Sequence, residues 1–430
     1  MIEKILSLQI PLVKTKLSGK EILKHPLFGG SAIMITGSNL ANLLAYVYHL
    51  LIGRLLGPSP YGELAAFIAI LGMISVVFNF MSLVIVKFVS GAKESEKSSL
   101  FNYFYKKMVI PGMLFGMLLL VLSNPIAGFL KIDFKIALLL GPSVFVALLT
   151  LLYRAYLQGV LKFFKTILMT NLDIFSRIIF GLLFIIAGMS SLGATFGIFL
   201  ALIASYLLGV YFLRNIRTGK KISKYSNGKK VIRYALPVFI YSIASNSFFM
   251  TDLILIKHYF SSFDAGIYAS VSTLGKIIFY GAAPVSSVMF PLISQRYAKG
   301  QNYKNIFYLS LILTSGISLG VLVLYGFFPE LMVKILYGQR FLAASAFLFR
   351  YGIFMTIFTV SNLLLSYFLS LEKTRVVYIL PLFSLAQIIG IVYFHSSLNQ
   401  VINISLLLSI FLIISLSFYI IYGSTQKKEN

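Results

Sequence analysis

Lys276 and Arg177 each stand about eleven residues into a long apolar run. At 1.5 Å per helical residue, both lie near the middle of a bilayer-crossing helix. Ionisable groups at that depth are costly and mark substrate or ion pathways. Asp173 and Arg177 are four apart and share a helix face. That spacing allows a self-neutralised pair inside a lobe or a pair facing a cavity. Lys276 has no acid within one turn of its own run. Its ammonium therefore needs water, an anion or a carboxylate from another helix, with Asp173 and Asp252 as candidates. Asp252, in the outer third of its run, can bind a coupling cation or pair with Lys257 or Lys276.

Uncharged polar groups accompany these charges. Asn39, Asn42, Tyr46, His49 and Gly53 recur at spacings of three and four, which places them on one helix face. Ser242, Ser245, Asn246, Phe249 and Asp252 repeat the idea in a later run. Such groups either glue helices together or line a shared cavity. His49 fits hydrogen-bonded packing or a proton switch. Arg350 and Arg54 sit near the ends of their runs, where they either snorkel to the interface or reach substrate. The four histidines show no ligand spacing, so no transition-metal site is expected.

The elements that must hold these residues are membrane spans. The chain is 59% hydrophobic and 11% charged, with mean hydropathy +0.91; soluble domains carry about 25% charged residues. A span needs about 20 apolar residues, and unbroken runs without strict alternation are helices. Twelve spans are expected, at about 31–53, 64–87, 108–129, 136–157, 166–188, 191–213, 236–257, 266–290, 306–328, 344–369, 376–394 and 400–422. The absence of cysteine excludes disulfides, thiolate metal sites and cysteine nucleophiles.

Of 37 Lys and Arg, 28 fall in the N-terminal tail, the even-numbered loops and the C-terminal tail. This asymmetry puts both termini in the cytoplasm. It accounts for the net charge of +25 without nucleic acid, and it favours anionic headgroups. The basic, Gly- and Ser-containing segment 214–235 reads as a linker. The expected organisation is a cytoplasmic tail (1–27), an N-lobe of six spans (28–213), this linker, a C-lobe of six spans (236–422) and a cytoplasmic tail (423–430).

Two copies of one pattern join the halves. Leu51-Ile-Gly-Arg-Leu-Leu-Gly-Pro-Ser-Pro-Tyr-Gly-Glu-Leu-Ala65 is echoed 204 residues later in Leu255–Ala269. Asn42 falls on Asn246, Arg54 on His258, Gly62 on Gly266 and Ala65 on Ala269. Each half has an even number of spans, so both enter and leave on one side. The pseudo-two-fold axis then runs along the membrane normal, with substrate between the lobes.

Arg54-Leu-Leu-Gly-Pro-Ser-Pro-Tyr-Gly62 resembles the hairpin after the first helix of polysaccharide biosynthesis flippases, the oligosaccharide-lipid branch of the multidrug/oligosaccharidyl-lipid/polysaccharide exporter superfamily. Asp252, Ala265-Gly-Ile-Tyr268 and Ser272-Thr-Leu-Gly-Lys276 resemble the second-half motif of that branch. Leu274 departs from it where an alanine is usual, and twelve spans are fewer than the fourteen of typical lipid II flippases. The resemblance implies a V-shaped pair of six-helix bundles, with spans 1, 2, 7 and 8 lining the cavity. It implies an isoprenoid-diphosphate-linked oligosaccharide as substrate, flipped across the cytoplasmic membrane by alternating access. Lys276 with Arg54 or Arg177 would meet the diphosphate, Arg350 is a further cavity candidate, and Asn39, Asn42, Tyr46 and Asn246 would meet sugars. Asp252, Asp173 and His49 are the candidates for coupling to H+ or Na+; no cofactor is expected, and glycan-assembly proteins are possible partners.

An ion-coupled organic-cation antiporter of the same fold is the alternative. A glycan polymerase would need a sizeable outer loop, and the outer loops offer only Glu63, Asp133, Asp264 and Glu330 as acids. There is no phosphate-cradling Gly-rich loop for ATP hydrolysis.

Overall fold

The computed structural model describes residues 26–90, 92, 94–214, 243–248, 250–298, 300–371, 373, 376 and 378–425. The expected tails and linker lie almost wholly outside these residues, as do Ser242 and Phe249. The first half holds α1 (Pro26–Leu56), α2 (Pro58–Ser90), α3 (Glu94–Val121), short α4 (Ser123–Leu130) and α5 (Phe134–Leu138), then α6 (Leu140–Gly159), α7 (Phe163–Ile186) and α8 (Ser190–Phe212). The second half holds α9 (Thr251–Tyr259), α10 (Ser262–Ala298), α11 (Lys304–Phe327), short α12 (Pro329–Leu336), a 3₁₀ turn (Gln339–Ala344), α13 (Ser345–Ser370), α14 (Ile379–Tyr393) and α15 (Leu398–Thr425). The protein is an all-helical, multi-pass membrane protein of two lobes. Among the described residues, nine helices are long and apolar enough to cross a bilayer.

Local chemistry sets the element ends. α1 stops at Leu56 because Gly57 turns left-handed (φ +76°), and Pro58 opens α2 where its missing N–H costs nothing. This helix therefore begins six residues before its expected start. The third span is shifted: α3 runs 94–121, and the apolar stretch to 129 breaks off as α4. The connections 122–139 and 328–344 fold as short helices on the same end of the molecule as Gly57, and are fuller than the short outer loops expected. α10, with 37 residues, is about 55 Å long and outruns the hydrocarbon core of about 30 Å.

The seventh span is interrupted. Residues 243–247 are helical, turns follow at 248 and 250, and α9 resumes at Thr251. In lipid, an interrupted helix needs partners for its backbone. α14 supplies them: Ser384 Oγ donates to the Ala244 carbonyl at 2.8 Å, and Gln387 Nε2 donates to the Phe248 carbonyl at 3.1 Å. Both donors are buried.

Candidate functional site between the lobes

The two halves meet along α2 and α10, and glycine permits the approach. A Cβ on Gly62 would lie 2.4 Å from the Ser262 carbonyl oxygen, and one on Gly266 would lie 1.8 Å from that of Pro58. The glycines aligned by the 204-residue echo thus pack against each other, backbone to backbone, and close one end of the molecule. We call this end the hairpin face.

Below this contact lies a cavity of about 210 Å³, lined by α1, α2, α9 and α10, the counterparts of spans 1, 2, 7 and 8. Its walls obey the duplication. Tyr46 and Met250, His49 and Leu253, Ala65 and Ala269, Ile68 and Ser272, and Ala69 and Thr273 are each 204 apart, and all ten line it. The chemistry is not shared equally. α1 contributes Asn42, Tyr46 and His49, and α10 contributes Ser272, Thr273, Lys276 and Tyr280. α2 and α9 contribute mainly Ala65, Ile68, Ala69, Met250 and Leu253. Tyr46 and Tyr280 meet edge-on, with ring centroids 6.3 Å apart, so the polar walls of α1 and α10 adjoin. Among the described lining residues Lys276 is the only Lys, Arg, Asp or Glu; its echo position is Gly72.

A hydroxyl cluster forms the end of the cavity nearest the hairpin face. Tyr61 Oη lies 3.0 Å from His49 Nδ1, 3.1 Å from Tyr337 Oη and 3.5 Å from Thr273 Oγ1. Tyr61, Tyr337 and Phe341 are fully buried there. At the opposite end Asn39, Asn42 and Tyr280 are exposed. The cavity is therefore shut at the hairpin face and faces the other side.

Asp252 stands behind the α10 wall. It is fully buried, Tyr268 Oη donates to Oδ2 at 2.6 Å, and the Leu253 N–H donates to Oδ1 at 2.7 Å. Tyr351 Oη, beside Tyr268, donates to Ser272 Oγ at 3.2 Å. Asp252 and Lys276 act on each other electrostatically. Asn246 is half-buried and is not among the residues lining the cavity.

Three bases are placed elsewhere. Arg177 does not line the central cavity: its Nε and Nη2 donate to the two carboxylate oxygens of Asp173, each at 3.0 Å. Arg154 Nη2 reaches Asp173 Oδ2 at 3.0 Å. The Asp173–Arg177 pair is thus a three-member cluster within the N-lobe, and a coupling cation at Asp173 would face two guanidiniums. Arg350 is exposed and donates to Asn399 Oδ1 at 3.0 Å, away from the cavity. Arg54 is exposed on the hairpin face, where its Nη2 donates to the Lys334 carbonyl at 3.2 Å and also to that of Ile335.

That last contact has a counterpart. His258, the echo of Arg54, places Nδ1 2.6 Å from the Phe129 carbonyl and stacks on the Phe129 ring. Lys257 Nζ donates to the Lys131 carbonyl at 3.0 Å and to Ser262 Oγ at 2.5 Å. Each lobe thus sends a base to the carbonyl end of a short helix, α12 or α4, in the other lobe. A cation such as Arg54 at a helix C-terminus contributes about 0.3–1 kcal/mol at exposed sites, and a hydrogen bond such as that of His258 contributes about 0.5–1.5 kcal/mol. Arg54→Ala and His258→Ala should each shift the closed hairpin face toward opening by about twofold to fivefold. Spin-label distances across that face measure the shift; an unchanged distribution in both variants would refute a latch.

The four acids expected in the outer loops are placed as follows. Glu63 accepts from Ser191 Oγ at 2.6 Å, Asp133 caps α5 through the Lys135 N–H, Asp264 accepts from Ser261 Oγ at 2.7 Å, and Glu330 lies in the first turn of α12.

Sequence reasoning overlooked Tyr61, Ser272, Thr273 and Tyr280 as lining residues and Arg154 as a charge partner. The 204-residue offset, extended beyond the identities, points to Ser272 and Thr273. Arg154 was legible only as a base near the end of the 136–157 run.

Comparison with known proteins gives the same architecture. The lipid II flippase MurJ in its inward closed conformation superimposes with a TM-score of 0.71 at 18% identity, covering 90% of this chain and 87% of that one. An inward-facing multidrug resistance MATE family transporter of the MOP superfamily gives 0.72 at 13% identity, covering 90% and 94%. An uncharacterized membrane protein of Methanocaldococcus jannaschii is 25% identical over 282 residues, 61% of this chain and 67% of its own. The model of the polysaccharide biosynthesis protein family matches residues 28–297, more than half of the sequence, and the chain belongs to that family.

Proposed function

We propose that the protein is a flippase that moves an isoprenoid-diphosphate-linked oligosaccharide across the cytoplasmic membrane by alternating access. The observation that carries this reading is the two-faced cavity. Hydroxyl, amide and imidazole groups of α1 and α10 suit a sugar chain, Lys276 suits a phosphate, and the apolar α2 and α9 wall suits the first isoprene units. Membership of the polysaccharide biosynthesis family and the MurJ-like fold support the same substrate class.

With both termini cytoplasmic, as the Lys and Arg distribution implies, the hairpin face is the outer one. The structure then corresponds to the state that loads substrate from inside. Opening outward requires α2 and α10 to part at Gly62 and Gly266. It also requires Tyr61 to leave Tyr337 and Thr273, and the Arg54 and His258 contacts to release. Asp252 and His49 are the groups through which an H+ or Na+ gradient would act, because both adjoin the cavity wall. Asp173 is left out of this role by its two guanidiniums.

The test is flipping of a fluorescent isoprenoid-diphosphate glycan by the full-length protein in proteoliposomes. Flipping should depend on the protein, and collapsing the H+ or the Na+ gradient identifies a coupling ion. Organic-cation antiport is disfavoured because, among the described lining residues, the only formally charged one is a cation. Accordingly, cationic dye efflux from the same vesicles should stay at the protein-free level. Dye efflux without glycan flipping would replace this reading with the antiporter.

A further inference from the structure

A second cavity, of about 320 Å³, lies inside the N-lobe among α1, α2, α6, α7 and α8. Its lining includes Ser38, Ser75, Gln158, Arg154, Asp173 and Arg177. The central cavity shares none of these residues.

The charges there are arranged by exposure. Asp173 has only 4% of its side chain accessible, whereas Arg154 and Arg177 each retain 25%. Both carboxylate oxygens are already occupied: Oδ1 by Arg177 Nε, and Oδ2 by Nη2 of each arginine. Arg154 is anchored further by donating to the Met169 carbonyl at 3.3 Å and to Ser205 Oγ at 2.9 Å. The carboxylate therefore serves as a buried clasp that holds two guanidiniums side by side. What the cavity sees is guanidinium, and the cluster carries a formal charge of +1. Among the described residues that line this cavity no further acid offsets that charge, and a charge left uncompensated away from bulk water is expensive. A cation, as a coupling ion would be, adds to the excess; an anion removes it. Paired guanidiniums present several N–H donors in fixed planes, a geometry that fits an oxyanion better than a spherical halide.

We propose that this N-lobe cavity is a binding site for a phosphate-class oxyanion, held by Arg154 and Arg177, whose guanidiniums Asp173 positions. The site is separate from the proposed flipping cavity and does not depend on that assignment. The oxyanion is either free phosphate or the phosphoryl head of a lipid, and the chemistry at the two arginines is the same.

The experiment is titration calorimetry on the full-length protein in neutral detergent, with inorganic phosphate in one arm and dihexanoyl phosphatidic acid in the other. Sodium chloride at matched ionic strength is the reference. Saturable binding above the chloride reference is expected in at least one arm, and the arm that binds names the source. Arg154→Gln leaves the Asp173–Arg177 pair in place and should weaken binding at least tenfold. Asp173→Asn raises the formal charge of the cluster by one while its isosteric amide oxygen can still accept from the arginines, so it should strengthen binding. Circular dichroism confirms that each variant keeps its helices. The two variants have opposite expected signs, so failure of one to fold leaves the other decisive. Binding no stronger than the chloride reference in both arms overturns the proposal. So does unchanged affinity in Arg154→Gln, or weaker affinity in a folded Asp173→Asn.

Discussion

Lys276→Ala is expected to cut glycan flipping by about one to two orders of magnitude while leaving the protein folded and inserted. A hydrogen bond to a charged group contributes about 1.5–3 kcal/mol, and each 1.4 kcal/mol is about a factor of ten. Among the described residues that line the central cavity Lys276 is the only formally charged one, and none of the others is a base that could take over its charge. The fold should tolerate the loss. Asp252, which feels the Lys276 charge, keeps the Tyr268 hydroxyl and the Leu253 N–H. Lys276→Arg retains the charge and should recover part of the rate. Proteoliposome flipping rates measure the effect, with monodispersity in detergent as the folding control. A wild-type rate for Lys276→Ala would remove the cavity from the mechanism.

Gly266→Val should abolish closure of the hairpin face. Even a single Cβ at this position would stand 1.8 Å from the Pro58 carbonyl oxygen, and the obstacle is backbone that cannot rotate aside. The branched side chain forces α2 and α10 apart, so the population should move from closed to open at this end. The sequence contains no cysteine. Labels can therefore be placed at Ser59→Cys and Phe263→Cys, two exposed positions flanking the contact. The inter-label distance should lengthen for most molecules, and flipping should fall to the protein-free rate, because alternation has lost one of its two states. A closed-face distance distribution in the variant would mean that the glycine contact does not set the conformation.

How much of this was legible in the sequence depends on how local each signal is. Span positions were readable because a bilayer imposes length and apolarity on each segment separately. Exceptions fell at the start of α2, six residues early, and at α3 and α4, where an apolar run continues through a break that only packing reveals. The interruption of the seventh span left no mark, because its breaking residues are apolar and its partners Ser384 and Gln387 come from another span. The duplication was readable from Gly62, Gly266, Ala65 and Ala269. Its real extent, including Ile68 with Ser272 and Ala69 with Thr273, was hidden because the side chains have diverged while their places have not. Arg54 was read as a substrate ligand or a snorkelling base. Its partner is a carbonyl in the other lobe, which spacing along one chain cannot show. Likewise Arg177 and Asp173 were rightly seen as sharing a face, but Arg154, which tips their balance to positive, lies on a different helix.

The pairing of Lys276 with Gly72 across the duplication has a consequence for how a cargo sits. A cavity built from two equivalent halves offers an asymmetric molecule two poses related by half a turn. Here charge and hydroxyls occupy one flank and alkyl groups the other, so the two poses are no longer equal in energy. A head group with phosphate at one end has one way to lie, and the chain it drags is committed to one side of the groove. Divergence of the repeats has thus given a near-symmetric machine a handedness of grip.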